Sequence, residues 1–178
     1  FDVTINSSSP NATLSSSKYF ASGMGTEGSP YVIENLQQFL NLEKFAGQGS
    51  STCYVLHSNI EASGQQLSQG ISSFSGTLDG NGNSLQNFTI TKQAGDLGVV
   101  DQLNGATIRN LGITSFTLTN NDTTSSFTGA LAGRAVNSTI ESSFASNGFL
   151  NVNANAGSLV GYLQGGAIRY SYATNNIT

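Results

Sequence analysis

Apolar residues in this chain come in short runs, and one phrase of mixed spacing recurs. In Leu85-Gln86-Asn87-Phe88-Thr89-Ile90-Thr91 the apolar side chains fall at the first, fourth and sixth places. Plain strand alternation would not produce that spacing. It predicts a strand that bends at Asn87, because asparagine tolerates left-handed backbone and can bond its own main chain. The phrase returns as Ile108-Arg109-Asn110-Leu111-Gly112-Ile113-Thr114, and more loosely from Ile140 to Ser146 and from Ile168 to Thr174. Val99, Leu131 and Leu159 precede Ile108, Ile140 and Ile168 at one constant offset. Two phrases at a fixed offset predict one unit stacked on itself. On this count the units open at Leu85, Ile108, Ile140 and Ile168 and are unequal in length, which surface loops tolerate. Each has room for about three short strands, the perimeter of a parallel β-helix.

The predicted fold is therefore all-β, a parallel β-helix (a β-solenoid, right-handed favoured) with an N-terminal capping helix. Stacked in register at about 4.8 Å, Ile108, Ile140 and Ile168 form an inward column. On the same reading Leu111 joins Phe88, and Ile113 joins Ile90. Arg109, Glu141 and Arg169 form an outward column of alternating sign, which avoids like-charge stacking. The longest insertion, Asn120 to Ser126, reads as pure loop.

Upstream, Phe1 to Ile5 reads as a strand, Asn6 to Ser17 as loop, and Gly23 to Pro30 as a second loop. Tyr31-Val32-Ile33 is a short strand. A helix follows over about 36–46, with Asn35 as N-cap and Gly47 as stop. Leu36, Phe39, Leu40 and Phe45 lie on its apolar side. Placed before the repeats, it would cover the open strand edges of the stack. Cys53 to Ile60 is a strand with Tyr54, Leu56 and Ile60 inward. Glu61 to Ser73 reads as polar loop, and Asp79 to Asn83 as a tight turn. Residues 1–70 thus form an N-terminal strand and loop region, and residues 71–178 the rungs. They make one continuous domain, read as a fragment of a longer array whose last rung could also pair end to end with another copy.

Composition narrows the chemistry. The chain has 178 residues, is 9% charged and carries a net charge of -4. Its six basic residues are dispersed, which argues against nucleic acid as a partner. No apolar run approaches the length of a bilayer span, so no membrane insertion is expected, and Phe1-Asp2-Val3 does not look like a signal peptide. Cys53, the single cysteine, reads as a buried small hydrophobe. His57, the single histidine, reads as a strand-surface residue. One His and one Cys cannot by themselves build a metal site, and no cofactor is expected. Asp79-Gly80-Asn81-Gly82-Asn83 begins like a calcium loop, but Ser84 and Ile90 stand where glycine and the closing carboxylate belong. The acids are scattered, and Asp101 falls where Gly133 and Gly161 fall later, so no catalytic pair is expected. Tyr172 aligns with Phe144 and reads as core. Tyr162 aligns with Arg134 and Gln102, reads as surface, and is the one candidate for ligand contact. Thr89, Thr91, Thr114, Thr117 and Thr119 do not keep one spacing from unit to unit, so β-propensity accounts for them. Asn6, Asn11, Asn87, Asn121, Asn137 and Asn176 head glycosylation-type triplets that this composition produces by chance.

Gly129-Ala130-Leu131-Ala132-Gly133 and Gly157-Ser158-Leu159-Val160-Gly161-Tyr162 resemble the GLUG repeat. The stretch Gly166 to Thr174 is similar to that repeat's usual continuation. Phe74 to Gly82, and Ser29 to Ile33 followed by a helix, resemble segments that precede such repeats. Ala130 and Ser158 replace the usual glycine, and Val99-Val100-Asp101 lacks the second one. The resemblance implies a β-helical stalk in large secreted or surface-attached bacterial proteins, among them adhesins and non-catalytic parts of immunoglobulin A-cleaving metallopeptidases. It brings no catalytic residues. The expected function is a non-enzymatic structural or adhesive segment, secreted or at the cell surface, that meets a host or neighbouring-cell surface through protein or glycan. The alternative is a β-helical carbohydrate-active enzyme or the accessory domain of a secreted hydrolase.

Overall fold

A computed structural model describes residues 19–45 and 49–178. The chain winds through three ladders of parallel strands. The first face stacks β1 (Tyr31–Ile33), β2 (Cys53–Leu56), β5 (Thr77–Asp79), β8 (Thr107–Arg109) and the C-terminal halves of β11 (Ala132–Glu141) and β14 (Val160–Arg169). The second stacks β4 (Ile71–Phe74), β7 (Val100–Asn104) and the N-terminal halves of β11 and β14. The third stacks β3 (Ile60–Leu67), β6 (Ser84–Lys92), β9 (Gly112–Asn120), β12 (Phe144–Val152) and β15 (Tyr172–Ile177). β10 (Phe127–Gly129) and β13 (Asn155–Gly157) form a small fourth ladder.

The predicted column is present. Ile108 pairs with Ile140, and Ile140 with Ile168. Ile108 and Ile140 are 0% exposed, while Ile168, on the outermost strand, is 39% exposed. Arg109, Glu141 and Arg169 share the outward register, and Asp79 extends that column one rung upstream. The segments of Val99, Leu131 and Leu159 are linked rung to rung by backbone hydrogen bonds: the Val99 N–H donates to the Ala130 carbonyl, the Val100 N–H to the Leu131 carbonyl and the Leu131 N–H to the Leu159 carbonyl.

The first unit is different from the one counted in the sequence. Leu78, not Leu85, lies beneath Ile108. Leu85 pairs with Ile113, Phe88 with Phe116 and Ile90 with Leu118. Tyr54 precedes Leu78 in the same column. Successive turns therefore run from Tyr54 to Leu78, to Ile108, to Ile140 and to Ile168. The cause is local. Asn87 (φ 59°) and Asn110 (φ 52°) are both left-handed bends, but they stand at different corners. Ser142 and Tyr170 continue the Asn110 corner, whereas Ser115 and Asn147 continue the Asn87 corner, all with positive φ. The phrase marks a corner of the coil, and this chain uses it at two corners per turn. The true register also brings Thr89 beside Thr117 and Thr91 beside Thr119, threonines that the shorter first unit leaves unmatched.

Glu61 to Ser73 is not loop, since β3 and β4 run through it. Ile60, Ala62, Leu67 and Ile71 are buried there. A register shift between Glu61 and Gln65, with Ser63 and Gly64 left-handed, interrupts the alternation that would have marked the strand. The parallel pairing itself begins at Tyr31, upstream of residue 71.

The cap is two short helices, α1 (Leu36–Leu40) and α2 (Leu42–Phe45), rather than one. Asn35 caps α1 by accepting from the Gln38 N–H. Asn41 separates the helices, and its amide donates to the Tyr19 carbonyl. Phe39, Leu42 and Phe45 are buried, and Phe45 packs on Phe20, which stacks on Tyr31. The expected helix end at Ala46 and Gly47, and the expected strand and loop before Lys18, lie outside the described residues. No described helix is long and apolar enough to cross a membrane.

Candidate functional site

Tyr162 stands in register with Arg134 and Gln102, half-buried on the second face. Its ring lies 4.7 Å from that of Phe127, and the Arg134 guanidinium sits 5.1 Å from the Tyr162 centroid and 4.7 Å from the Phe127 centroid. Arg134 Nε also donates to Asp96 Oδ2 at 2.9 Å. The Phe127 N–H donates to Asp96 Oδ1, and Gln102 to Asp96 Oδ2. The tyrosine is thus held in a cation–π and ion-pair cluster.

Beside this cluster the carboxylates are tied to a lysine or to backbone N–H groups. Lys92 Nζ contacts Asp101 Oδ2 at 2.5 Å and the Asp96 carbonyl at 2.8 Å. Burial pushes the Asp101 carboxyl above the usual range, against the hydrogen bond and charge of Lys92. Its other oxygen, Oδ1, is buried without a hydrogen bond of good geometry, and the Gly98 N–H also acts to lower the group. Asp122 accepts from Thr124 Oγ1 and N–H and from the Gly95 N–H, which hold it below the usual range. Asn120 is 2% exposed and donates to the Gly95 carbonyl and to Thr128 Oγ1. The segment read as bare loop therefore contains a buried polar knot. Its asparagine, aspartate and hydroxyl residues are visible in sequence as an Asx-turn composition.

A cavity of about 390 Å³ lies on the first face, lined in part by Glu27, Cys53, Thr77, Asp79 and Arg109. Burial raises the Asp79 carboxyl, but bonds from Asn110, the Asn81 N–H and Arg109 outweigh it and hold it below the usual range. Asp79 ends β5, and the turn that follows falls at Asn81 and Gly82. Cys53 is only half-buried, contrary to expectation. It shares the outward register of Thr77, while Tyr54 takes the inward place. His57 sits on a bend after β2 rather than on a strand, exposed and 3.8 Å from Glu34. Among the described residues no three His, Cys, Asp or Glu side chains converge as a metal site. Tyr172 does stack on Phe144, at 5.4 Å and 9°, but it is 58% exposed. That pair lies outside the core, with Gly112 beneath it, where a Cβ would collide with the Phe144 ring.

The glycines flanking Leu131 and Leu159 have a common steric cause. A Cβ on Gly129 would collide with the Ala132 carbonyl oxygen and lie 2.6 Å from Gly161 N. On Gly133 it would meet the Phe127 carbonyl oxygen at 2.7 Å, and on Gly161 the Thr128 N at 2.7 Å. Backbone lies against backbone where β10 and β13 turn into β11 and β14, and only hydrogen fits there. Residues 152–178 match the GLUG motif family. Within the matched stretch the geometry sets Leu159, 8% exposed, between Gly157 and Gly161, both at main-chain contacts. No curated protein matches the chain. Among solved structures it is similar to that of a candidate immunoglobulin A1 protease from Bacteroides ovatus. The TM-score is 0.58 at 18% identity, covering 88% of this chain and 62% of that one. The shared feature is the fold, and this GLUG-bearing chain spans about 62% of that protein's length.

Proposed function

We propose that this β-helical module is a non-enzymatic structural or adhesive segment of a secreted or cell-surface bacterial protein, presenting its faces to a host or neighbouring-cell surface. The observation that carries this reading is the use made of its acids. Asp79, Asp96 and Asp122 are each bound by backbone N–H groups or by arginine, and Asp101 is paired with Lys92. Carboxylates so engaged hold rungs together and are poorly placed to attack or protonate a glycosidic bond.

A second reading, a carbohydrate-active β-helix, draws on one feature, the buried Asp101 carboxyl, raised by burial and with Oδ1 lacking a hydrogen bond of good geometry. A reducing-end assay over a panel of neutral and acidic polysaccharides separates the two. No product release is expected. Release that is abolished in Asp101→Asn would establish the enzyme reading instead.

A further inference from the structure

Apart from Phe149 and the stacked rings of Phe144 and Tyr172, the outward side of the third face is built from hydroxyls and amides. Gln86, Thr114, Ser146 and Thr174 form one column, Thr89 and Thr117 a second, and Thr91, Thr119 and Asn151 a third. The charged residues on its described strands are Glu61 and Lys92. Lys92 turns onto Asp101, and Glu61 is tied to the Ser63 N–H, Gln86 and Asn87. A groove of about 250 Å³ crosses this face from Gly64 to Phe149. Its lining includes the left-handed corner residues Asn87, Ser115 and Asn147 and, two positions further along each strand, Thr89, Thr117 and Phe149. The stacked rings of Phe88 and Phe116 lie between them, 5.8 Å apart. Four rungs contribute, so the groove is roughly 14 Å long at about 4.8 Å per strand. Phe149 replaces threonine in its column and is 50% exposed.

We propose that this groove binds an uncharged oligosaccharide of about three sugar rings, given that strand spacing. A pyranose offers a C–H face that packs on an aromatic ring, here Phe149, and a rim of hydroxyls that donate and accept. Asn87, Asn147, Ser115, Thr89 and Thr117 can each do both. None of the lining residues is charged, so a neutral ligand buries no unpaired charge, whereas a charged polymer finds no counter-charge. The register of Thr89 with Thr117 and of Thr91 with Thr119 also resembles an ice-ordering array. That array stops where Phe149 and Asn151 take the threonine positions, which favours the sugar.

This inference rests on the adhesive reading and names its ligand class. The test is titration calorimetry of the whole chain with cellotetraose, laminaritetraose, mannotetraose and trigalacturonate, beside a reducing-end assay on each. Binding of at least one neutral tetrasaccharide is expected, weakened about tenfold by Phe149→Ala and restored by Phe149→Tyr. Asn147→Gly, which keeps the left-handed bend, is expected to weaken it as well. Tyr170→Ser, remote and exposed, leaves binding unchanged and reports on folding. Binding of trigalacturonate alone, binding indifferent to Phe149, no binding at all, or thermal hysteresis in ice without sugar binding would each overturn the proposal. Binding with cleavage would keep the groove and overturn the adhesive reading.

Discussion

Ile140 and Ile168 occupy the same place in consecutive turns and are directly paired, yet one is fully buried and the other 39% exposed. Their sequence neighbourhoods are nearly alike, Ile-Glu-Ser-Ser-Phe against Ile-Arg-Tyr-Ser-Tyr. What separates them is whether a rung lies on each side. In a stacked array each unit is stabilised by its nearest neighbours, so the same side chain contributes differently in the middle and at the end.

The largest effect that sharpens this contrast is at the column itself. Ile140→Ala is expected to cost about 2–5 kcal/mol by urea denaturation, and Ile168→Ala well under half of that, because only the first leaves a closed cavity. Equal losses would mean that the last rung is covered in solution. Static light scattering against concentration would then show association, which Ile168→Lys should abolish. Next in size is the main-chain contact. Gly133→Ala places a methyl within 2.7 Å of the Phe127 carbonyl oxygen and 2.8 Å of Leu97 N, and is expected to cost about 1–3 kcal/mol. Gly28→Ala meets nothing within 4 Å and should leave the urea midpoint unmoved.

The smallest effect is electrostatic and has opposite signs in two places. Asp79, Asp122 and Glu61 are held below the usual carboxylate range. The stability they contribute is present above their unfolded values, near 4, and is lost as pH falls through the folded ones. Asp101 is raised, so it binds its proton more tightly when folded, and its contribution grows as pH falls through its folded value. Chemical denaturation from pH 7 to pH 3 should show a net acid loss. Asp79→Asn should make that loss shallower, and Asp101→Asn steeper.

The corners show how far such a chain can be read before its fold is known. Asn87 and Asn110 are legible as left-handed bends, because few residues accept that backbone. Which corner each one occupies is not, because the local chemistry of two corners is the same. The strand through Glu61 to Gln66 is hidden by a bulge and by polar residues that face water. Tyr162 is placed correctly beside Arg134 and Gln102, but the aromatic and ionic cluster around it includes Asp96 and Phe127, from other segments. The groove at Phe149 has a sequence signal in the parallel runs Asn87-Phe88-Thr89, Ser115-Phe116-Thr117 and Asn147-Gly148-Phe149. It becomes readable only once the ladders set Thr89 beside Thr117 and Thr117 beside Phe149.

By itself the sequence determined that strands would stack as a coil, that Ile108, Ile140 and Ile168 would share a column, and that glycines would flank Leu131 and Leu159. Hydrophobic spacing, bend residues and glycine sterics act over short stretches of chain, and so they are written locally. The tertiary structure decided the register of the first turn, the burial of Asp101 and Asn120, the exposure of Ile168, and the line of side chains along the groove. Each of these depends on which segments come to lie on adjacent rungs, a full turn of the coil apart, and that separation is set by how much chain each loop absorbs.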